Sequence, residues 1–270
     1  MSERILVFIP IYNCERQIGR VIGQFDEKTQ RHFAELIVVD NRSTDRSASV
    51  ATEAIQQLKG LKARVLRNDE NYGLGGSHKV AFNYALENGF DYCVVLHGDD
   101  QGSIHDLVPL IEAGIHRQYD CLLGARFMKG SKLVGYSRFR TFGNQVFNAL
   151  FSIGAGKPLY DLGSGLNMYA TRVLEPRTYL RFGNDLTFNY YAILASVVEK
   201  WNMKFFPLTW REEDQLSNVK LFRQAIKTLK ILSRFALNRR RFVQTDHAQP
   251  QGLKYTSTPI AEAMVPDLQP

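Results

Sequence analysis

The stretch Val94 to Ser103, reading VVLHGDDQGS, carries the densest chemistry in the chain. The apolar run Tyr92 to Leu96 reads as a buried strand bounded by turn residues. It stops at His97-Gly98-Asp99-Asp100-Gln101, where two adjacent carboxylates follow a glycine that can adopt positive φ. In an α/β sheet, ligands bind just beyond the carboxyl ends of such strands. Oxygen-rich clusters there suit a hard divalent cation that holds a phosphate. The plain alternative is an acidic turn that closes a core strand.

Three further strand ends carry polar clusters. Pro10-Ile11-Tyr12-Asn13-Cys14-Glu15 places an aromatic ring and a carboxylate at the sheet edge, and Val38-Val39 runs into Asp40-Asn41-Arg42-Ser43-Thr44-Asp45. Asn71-Tyr72-Gly73-Leu74-Gly75-Gly76-Ser77 precedes a helix, and its glycines allow backbone to approach a ligand closely. This run is not a dinucleotide fingerprint. It does not follow the first strand as G-x-G-x-x-G, and no acidic residue ends a following strand where a ribose would need it.

The elements that must position these clusters follow from periodicity. Strands are expected at Ile5–Ile9, Leu36–Val39, Ala63–Leu66, Tyr92–Leu96 and Cys121–Gly124. Helices are expected at Cys14–Phe25, Ser43–Leu58 and Ser77–Asn88, the second opened by a Ser-Thr-Asp capping group. Such alternation means right-handed βαβ units and a mostly parallel α/β sheet with helices on both faces. Further on, Lys129–Arg140 reads as a basic loop, Val173–Leu180 and Thr187–Trp201 as helices. Leu221–Leu237 has apolar residues at helical spacing with basic residues between them. After Phe242 the composition turns to Gln, Pro, Thr and Ala, which predicts a poorly ordered tail over 243–270.

Composition bounds the class. With 270 residues, 44% hydrophobic and 23% charged, the chain can bury a sizeable core as a soluble globular protein. Three irregularly spaced cysteines, Cys14, Cys93 and Cys121, fit reduced thiols and a cytoplasmic setting. The start reads as a first strand rather than a signal peptide, and no run of about 18 apolar residues spans a membrane. The net charge is +7, but Lys220 to Phe242 holds eight cations and no acid, so the remainder is close to neutral at −1. One basic element on a neutral globule argues against a nucleic-acid-coating protein. The amphipathic segment 220–242 fits a helix lying on an anionic leaflet, or else one packed on the domain or in an oligomer.

In this order of motifs the chain resembles the family 2 glycosyltransferases of the GT-A fold, closest to the polyprenyl- and dolichyl-phosphate sugar transferases. The resemblance runs through residues 10–15, 38–45, 71–76 and 97–101, then Gly124-Ala125-Arg126-Phe127, Asp161 to Leu166, and Arg211 to Val219, and covers roughly 4–220. It implies a GT-A domain over 1–219 and an inverting, metal-dependent transferase using a UDP- or GDP-sugar in a bacterial glycan or glycolipid pathway. Pro10, Tyr12 and Glu15 would line the nucleoside pocket, Asp40 would accept a hydrogen bond from the base, and Asn71 and Gly73 would shape the wall beside it.

The family's Asp-x-Asp reads here His97-Gly98-Asp99. The resemblance implies that Asp99 anchors Mg²⁺ or Mn²⁺ with Gln101 and donor phosphates. His97 is either a further ligand to manganese or a packed turn histidine. Asp100 would touch the sugar or back the metal's ligands from behind. Arg126, Arg138, Arg140 and Arg211 fall where a phosphate acceptor is held, which suits guanidinium forks. Beyond Arg211, Asn218 replaces a lysine, and Glu213 or Asp214 is expected to pair with an arginine. If the acceptor is a hydroxyl, a base is needed and Asp185 is the candidate, with a helix N-cap as its other reading. The acceptor is then a lipid-linked phosphate or a glycan, placing the enzyme peripherally on the inner face of the plasma membrane. A soluble hydroxyl acceptor, or a silent nucleotide-sugar-binding scaffold, are the alternatives.

Overall fold

The computed structural model describes residues 3–212 and 221–264. Strands β1 (Ile5–Ile11), β2 (Glu35–Asp40), β3 (Lys62–Asn68) and β4 (Tyr92–Leu96) run parallel in the spatial order β3-β2-β1-β4. Helices α1 (Ile18–Gly23), α2 (Glu27–Gln30), α3 (Ser47–Ile55) and α4 (Gly73–Glu87) connect them. Every residue of β1, β2 and β4 is buried, as strands covered on both faces require. Alternate residues of β1 feed two cores. Leu6 and Phe8 pack with Phe82, Phe188 and Phe235 on one face, while Val7 and Ile9 pack with Ile18, Ile22 and Ile55 on the other.

The second half completes a mixed sheet. After α5 (Val108–Glu112) come β5 (Cys121–Ala125), β6 (Lys132–Val134), α6 (Arg138–Ala155) and β7 (Leu166–Ala170). Then follow α7 (Phe188–Val198), β8 (Met203–Pro207), β9 (Thr209–Arg211), α8 (Leu221–Leu237), α9 (Arg239–Gln244) and β10 (Ser257–Ala263). The sheet order is β10-β3-β2-β1-β4-β7-β5-β8, with β7 antiparallel to β4 and β5, and β10 antiparallel to β3. Strands β6 and β9 form a separate parallel pair. No helix among the described residues is long and apolar enough to cross a membrane. Cys14, Cys93 and Cys121 are free and buried.

Three expectations are corrected. The basic loop expected over Lys129–Arg140 contains β6 and opens the 18-residue helix α6. The helix expected over Val173–Leu180 is two single 3₁₀ turns, Thr171–Val173 and Thr178–Arg181. Pro176 between them has no N–H to donate and disfavours a helical Glu175, and Arg177 takes a left-handed φ of 54°. The tail expected after Phe242 is ordered through Met264. Its β10 pairs with β3 from Ser257↔Asn68 to Ala263↔Ala63, with a bulge between Pro259 and Ala261. A proline is tolerated there because β10 lies at the sheet edge.

Candidate active site

The ends of β1, β2 and β4 are laced into one ledge. Gly98 brings the acidic loop against β1, since a Cβ there would meet Ile11 at 2.6 Å and the Pro10 carbonyl at 2.9 Å. Gly98 N donates to the buried Pro10 carbonyl at 3.2 Å. Tyr12, just past β1, leaves its ring half-exposed over the ledge. Asn13 takes a left-handed φ of 53° and its Oδ1 accepts from Thr44 N, while Glu15 Oε2 accepts from Arg46 N at 3.0 Å. Asp45 is structural: it accepts from Glu15 N and Ser47 N.

Asp40 is fully buried and already engaged. Its Oδ1 accepts from Ser43 N and its Oδ2 from Arg67 Nε, both at 2.9 Å. A base edge reaching Asp40 therefore meets a carboxylate shared with Arg67. Beside it lies an asparagine network of which the motif reading assigned only Asn71. Asn41 Nδ2 donates to Asn71 Oδ1 at 2.8 Å, and Asn41 Oδ1 accepts from Tyr72 N and Asn68 Nδ2. The sequence signal was present, since Asn41 directly follows Asp40 at a strand end.

The glycine run has a packing role. Gly73 has φ 71°, and a Cβ there would meet the Asn184 carbonyl at 2.5 Å; at Gly75 it would meet the Gly183 carbonyl at 2.3 Å. Thus the first turn of α4 lies hard against the 183–185 loop, and Gly76 N donates to Asn184 O. One turn on, the fully buried Lys79 donates to Phe182 O, Asn184 Oδ1 and Tyr255 Oη at 2.7, 2.7 and 3.0 Å. Burial pulls its ammonium down to about 7, against a weaker opposing pull from Asp246.

The acidic cluster divides its labour. Asp100 is held at φ 60° and pairs with Arg20 Nε at 2.6 Å, so its carboxylate turns toward α1. Asp99 is half-buried and faces the first strand end. The Cys14 thiol is pushed up to about 12, first by burial and further by the charges of Asp99 and Asp45. Gln101 N donates weakly to Asp99 Oδ1 at 3.4 Å, and Gln101 O accepts from Arg211 N at 3.0 Å. His97 is a packed ring. It lies against Gly165, 6.0 Å from the His78 ring centroid, and its Nε2 is buried without a hydrogen-bond partner among the described residues. Burial and the nearby Arg126 charge pull it down to about 4, and burial pulls His78 to about 3, so both rings are neutral at pH 7.

Among the described residues, no three His, Cys, Asp or Glu side chains converge on a metal site. That donor set still fits a magnesium-like ion, which commonly takes one or two carboxylates and completes its sphere with substrate phosphates and water. Asp99, whose Oδ1 lies beside the Gln101 backbone N–H, would hold it.

The arginines are placed unequally. Arg126 is bound by Asp161 through its backbone N, Nε and Nη2 at 2.9, 2.7 and 2.8 Å, and it stacks over Trp210. Burial opposes that charge, but Asp161 raises the guanidinium further above its ordinary value. Arg140 pairs with Glu212 and stacks on Tyr136. Arg138 and Arg211 are exposed, the first at the start of α6 and the second on β9 beside Gln101. Glu213, Asp214 and Asn218 lie outside the described residues. Asp185 accepts from Thr187 N at 2.9 Å and Thr187 Oγ1 at 2.6 Å, at the start of α7, and pairs with Lys227 of α8. Burial opposes ionisation, yet Lys227 and Thr187 hold the carboxyl below its usual range.

Known proteins resemble this chain in sequence and in fold. A model of the family described as Glycosyl transferase family 2 matches residues 6–176. Polyprenol monophosphomannose synthase of Mycolicibacterium smegmatis is 23% identical over 174 residues, covering 64% of each chain. An undecaprenyl-phosphate 4-deoxy-4-formamido-L-arabinose transferase of Photorhabdus laumondii is 28% identical over 177 residues, 64% of this chain and 51% of that one. The chain thus spans about half to two-thirds of the length of these relatives. Among solved structures, glucosyl-3-phosphoglycerate synthase of M. tuberculosis superposes with a TM-score of 0.58 at 20% identity, covering 86% of this chain and 81% of that one. S. aureus TarS 1–349 in complex with UDP-GlcNAc gives 0.59 at 18%, covering 87% and 67%. At such identities the superpositions speak to the fold alone. With the family match spanning well over half of the chain, it belongs to glycosyl transferase family 2 and has the GT-A fold.

Proposed function

We propose that the enzyme moves a sugar from a UDP- or GDP-sugar to a lipid-linked phosphate, with inversion at the anomeric carbon. The observation that carries this reading is the shared ledge, where the loops holding Tyr12, Asp40, Asn71 and Asp99 are tied together at four strand ends. Tyr12 and the Asn41–Asn71 pair would bracket the nucleoside, and Asp99 would meet the diphosphate through a divalent cation. When bound, that cation neutralises charge on the departing diphosphate. A relative named for dolichyl-phosphate, in Methanococcus voltae, adds to the two polyprenyl-phosphate relatives as support for the acceptor class.

The state of Asp185 favours a phosphate over a hydroxyl acceptor. Its carboxylate is committed to Thr187 and Lys227 and is a weakened base, whereas a phosphate arrives ionised and needs none. Among the described residues, exposed Arg138 and Arg211 are open to receive it.

The test is transfer of labelled sugar to a polyprenyl phosphate, across UDP- and GDP-sugars, with Mn²⁺ or Mg²⁺. Asp99→Asn is expected to lower turnover by roughly 10²–10³ with the fold intact, and Asp185→Asn to leave it within about a factor of two. Activity lost with Asp185→Asn but kept with Asp99→Asn would overturn the assignment.

A further inference from the structure

Strand β10 covers the open edge of β3, but the residues leading into it do more than an edge requires. Residues 247–258 run as a strap across the loops of the candidate site. His247 N donates to Arg181 O at 2.7 Å, and its ring stacks on Tyr191 at 4.6 Å. Gln249 O accepts from Asn184 Nδ2 at 3.1 Å, in the loop that packs on the first turn of α4. Thr256 O accepts from Asp69 N at 3.1 Å. The Asp69 carboxylate accepts from Thr256 Oγ1 at 2.5 Å and from Thr258 Oγ1 at 2.9 Å. On its other side, Asp69 O accepts from Arg42 Nη2 at 2.8 Å, from the loop that follows Asp40.

Tyr255 is the tightest point of the strap. Its φ is 45°, a left-handed conformation that a bulky side chain seldom adopts and that persists only where the surroundings impose it. Its Oη donates to Asn184 Oδ1 at 2.8 Å and accepts from Lys79 Nζ at 3.0 Å. Its ring meets the Tyr72 ring edge-on at 5.5 Å. Gly76 leaves the room, since a Cβ there would meet Tyr72 Cβ at 2.3 Å and Tyr255 Cε1 at 3.5 Å. Tyr72 in turn faces two ways. Its backbone N donates to Asn41 Oδ1 at 2.8 Å inside the asparagine network, while its Oη accepts from Thr256 N at 3.4 Å. The strap thus reaches Asn71 through a single residue.

We propose that Tyr255 is a positioning residue for the nucleotide-sugar donor. It holds the Asn71 wall through Tyr72, while the Thr256 and Thr258 hydroxyls clamp Asp69. The inference deepens the donor reading above and rests on it. The family match stops at residue 176, so the strap lies beyond the matched residues. A wall held in place before the donor arrives saves the ordering cost that a loose loop would add to binding. Loosening the strap therefore acts on donor affinity and not on the chemical step.

The test titrates UDP and GDP with Mn²⁺ into the full chain by calorimetry, and follows amide hydrogen exchange over residues 69–76 without nucleotide. Thr256→Val/Thr258→Val keeps β-branched side chains at the edge and removes both hydroxyls. It is expected to weaken nucleotide binding roughly tenfold, and to raise the donor KM alike with kcat within about a factor of two. Exchange over 69–76 should quicken by about tenfold while β1 and β4 stay protected. Tyr255→Leu should act in the same direction and further. Tyr255→Phe keeps the ring against Tyr72 and should recover most of the binding. Thr256 and Thr258 are not buried, so their variant decides the matter even where Tyr255→Leu fails to fold. A purely structural role would lower the unfolding midpoint and kcat together and leave Kd and KM unmoved. That pattern, or wild-type affinity in both variants, overturns the proposal with the donor reading intact. A wild-type chain that binds neither UDP nor GDP removes the donor reading, and Tyr255's role with it.

Discussion

Asp161 receives three donors from Arg126 and a fourth from Gly163 N, with its side chain 1% exposed. A buried guanidinium left without its carboxylate has no solvent to fall back on. Asp161→Asn is therefore expected to lower unfolding stability by about 3–5 kcal/mol, read by denaturant titration. Arg126 was legible in the sequence as a cation at a strand end. Its partner was not, because Asp161 is 35 residues away and only β7, inserted antiparallel between β4 and β5, brings the two together. Asp99, Tyr12 and Asn71 were legible for the opposite reason. Each follows its own strand directly, so the end of the strand fixes its place.

At the scale of elements, the first turn of α4 shows how two magnitudes compete. Replacing a helical glycine by alanine ordinarily adds about 0.5–1 kcal/mol of stability. At Gly75 the new methyl would sit 2.3 Å from the Gly183 carbonyl, which is backbone and cannot swing aside. Gly75→Ala is thus expected to destabilise by about 1–3 kcal/mol in chemical denaturation. It should also weaken nucleotide binding, because the displaced turn carries Gly73, whose N–H donates to Asn71. The four parallel strands and the helices between them were readable because hydrophobic period, turn residues and length agree in each. Helix α6 was hidden because its apolar residues divide between a buried and an exposed face. Strand β10 was hidden because Ser, Thr, Pro and Ala at an edge resemble a linker.

Across the whole molecule, Lys79 joins three distant parts: α4, the 182–184 loop, and Tyr255 ahead of β10. Its ammonium titrates about 7 when folded, against 10.5 for an ordinary lysine. Between those values the unfolded chain binds a proton that the folded chain does not, so stability from this group rises with pH. Urea unfolding is expected to show stability increasing from about pH 7 to about pH 9.5, below the range where tyrosines begin to ionise. Lys79→Met should flatten that slope. A slope unchanged in the variant would assign it to other groups.

The pairing of β10 with β3 also has a consequence in time. On the ribosome, β3 emerges early, and its outer edge stays without a partner until about 190 further residues have been made. At about 5–20 residues per second that interval is roughly 10–40 s. Throughout it the nascent chain carries an open strand edge able to pair with a neighbour's.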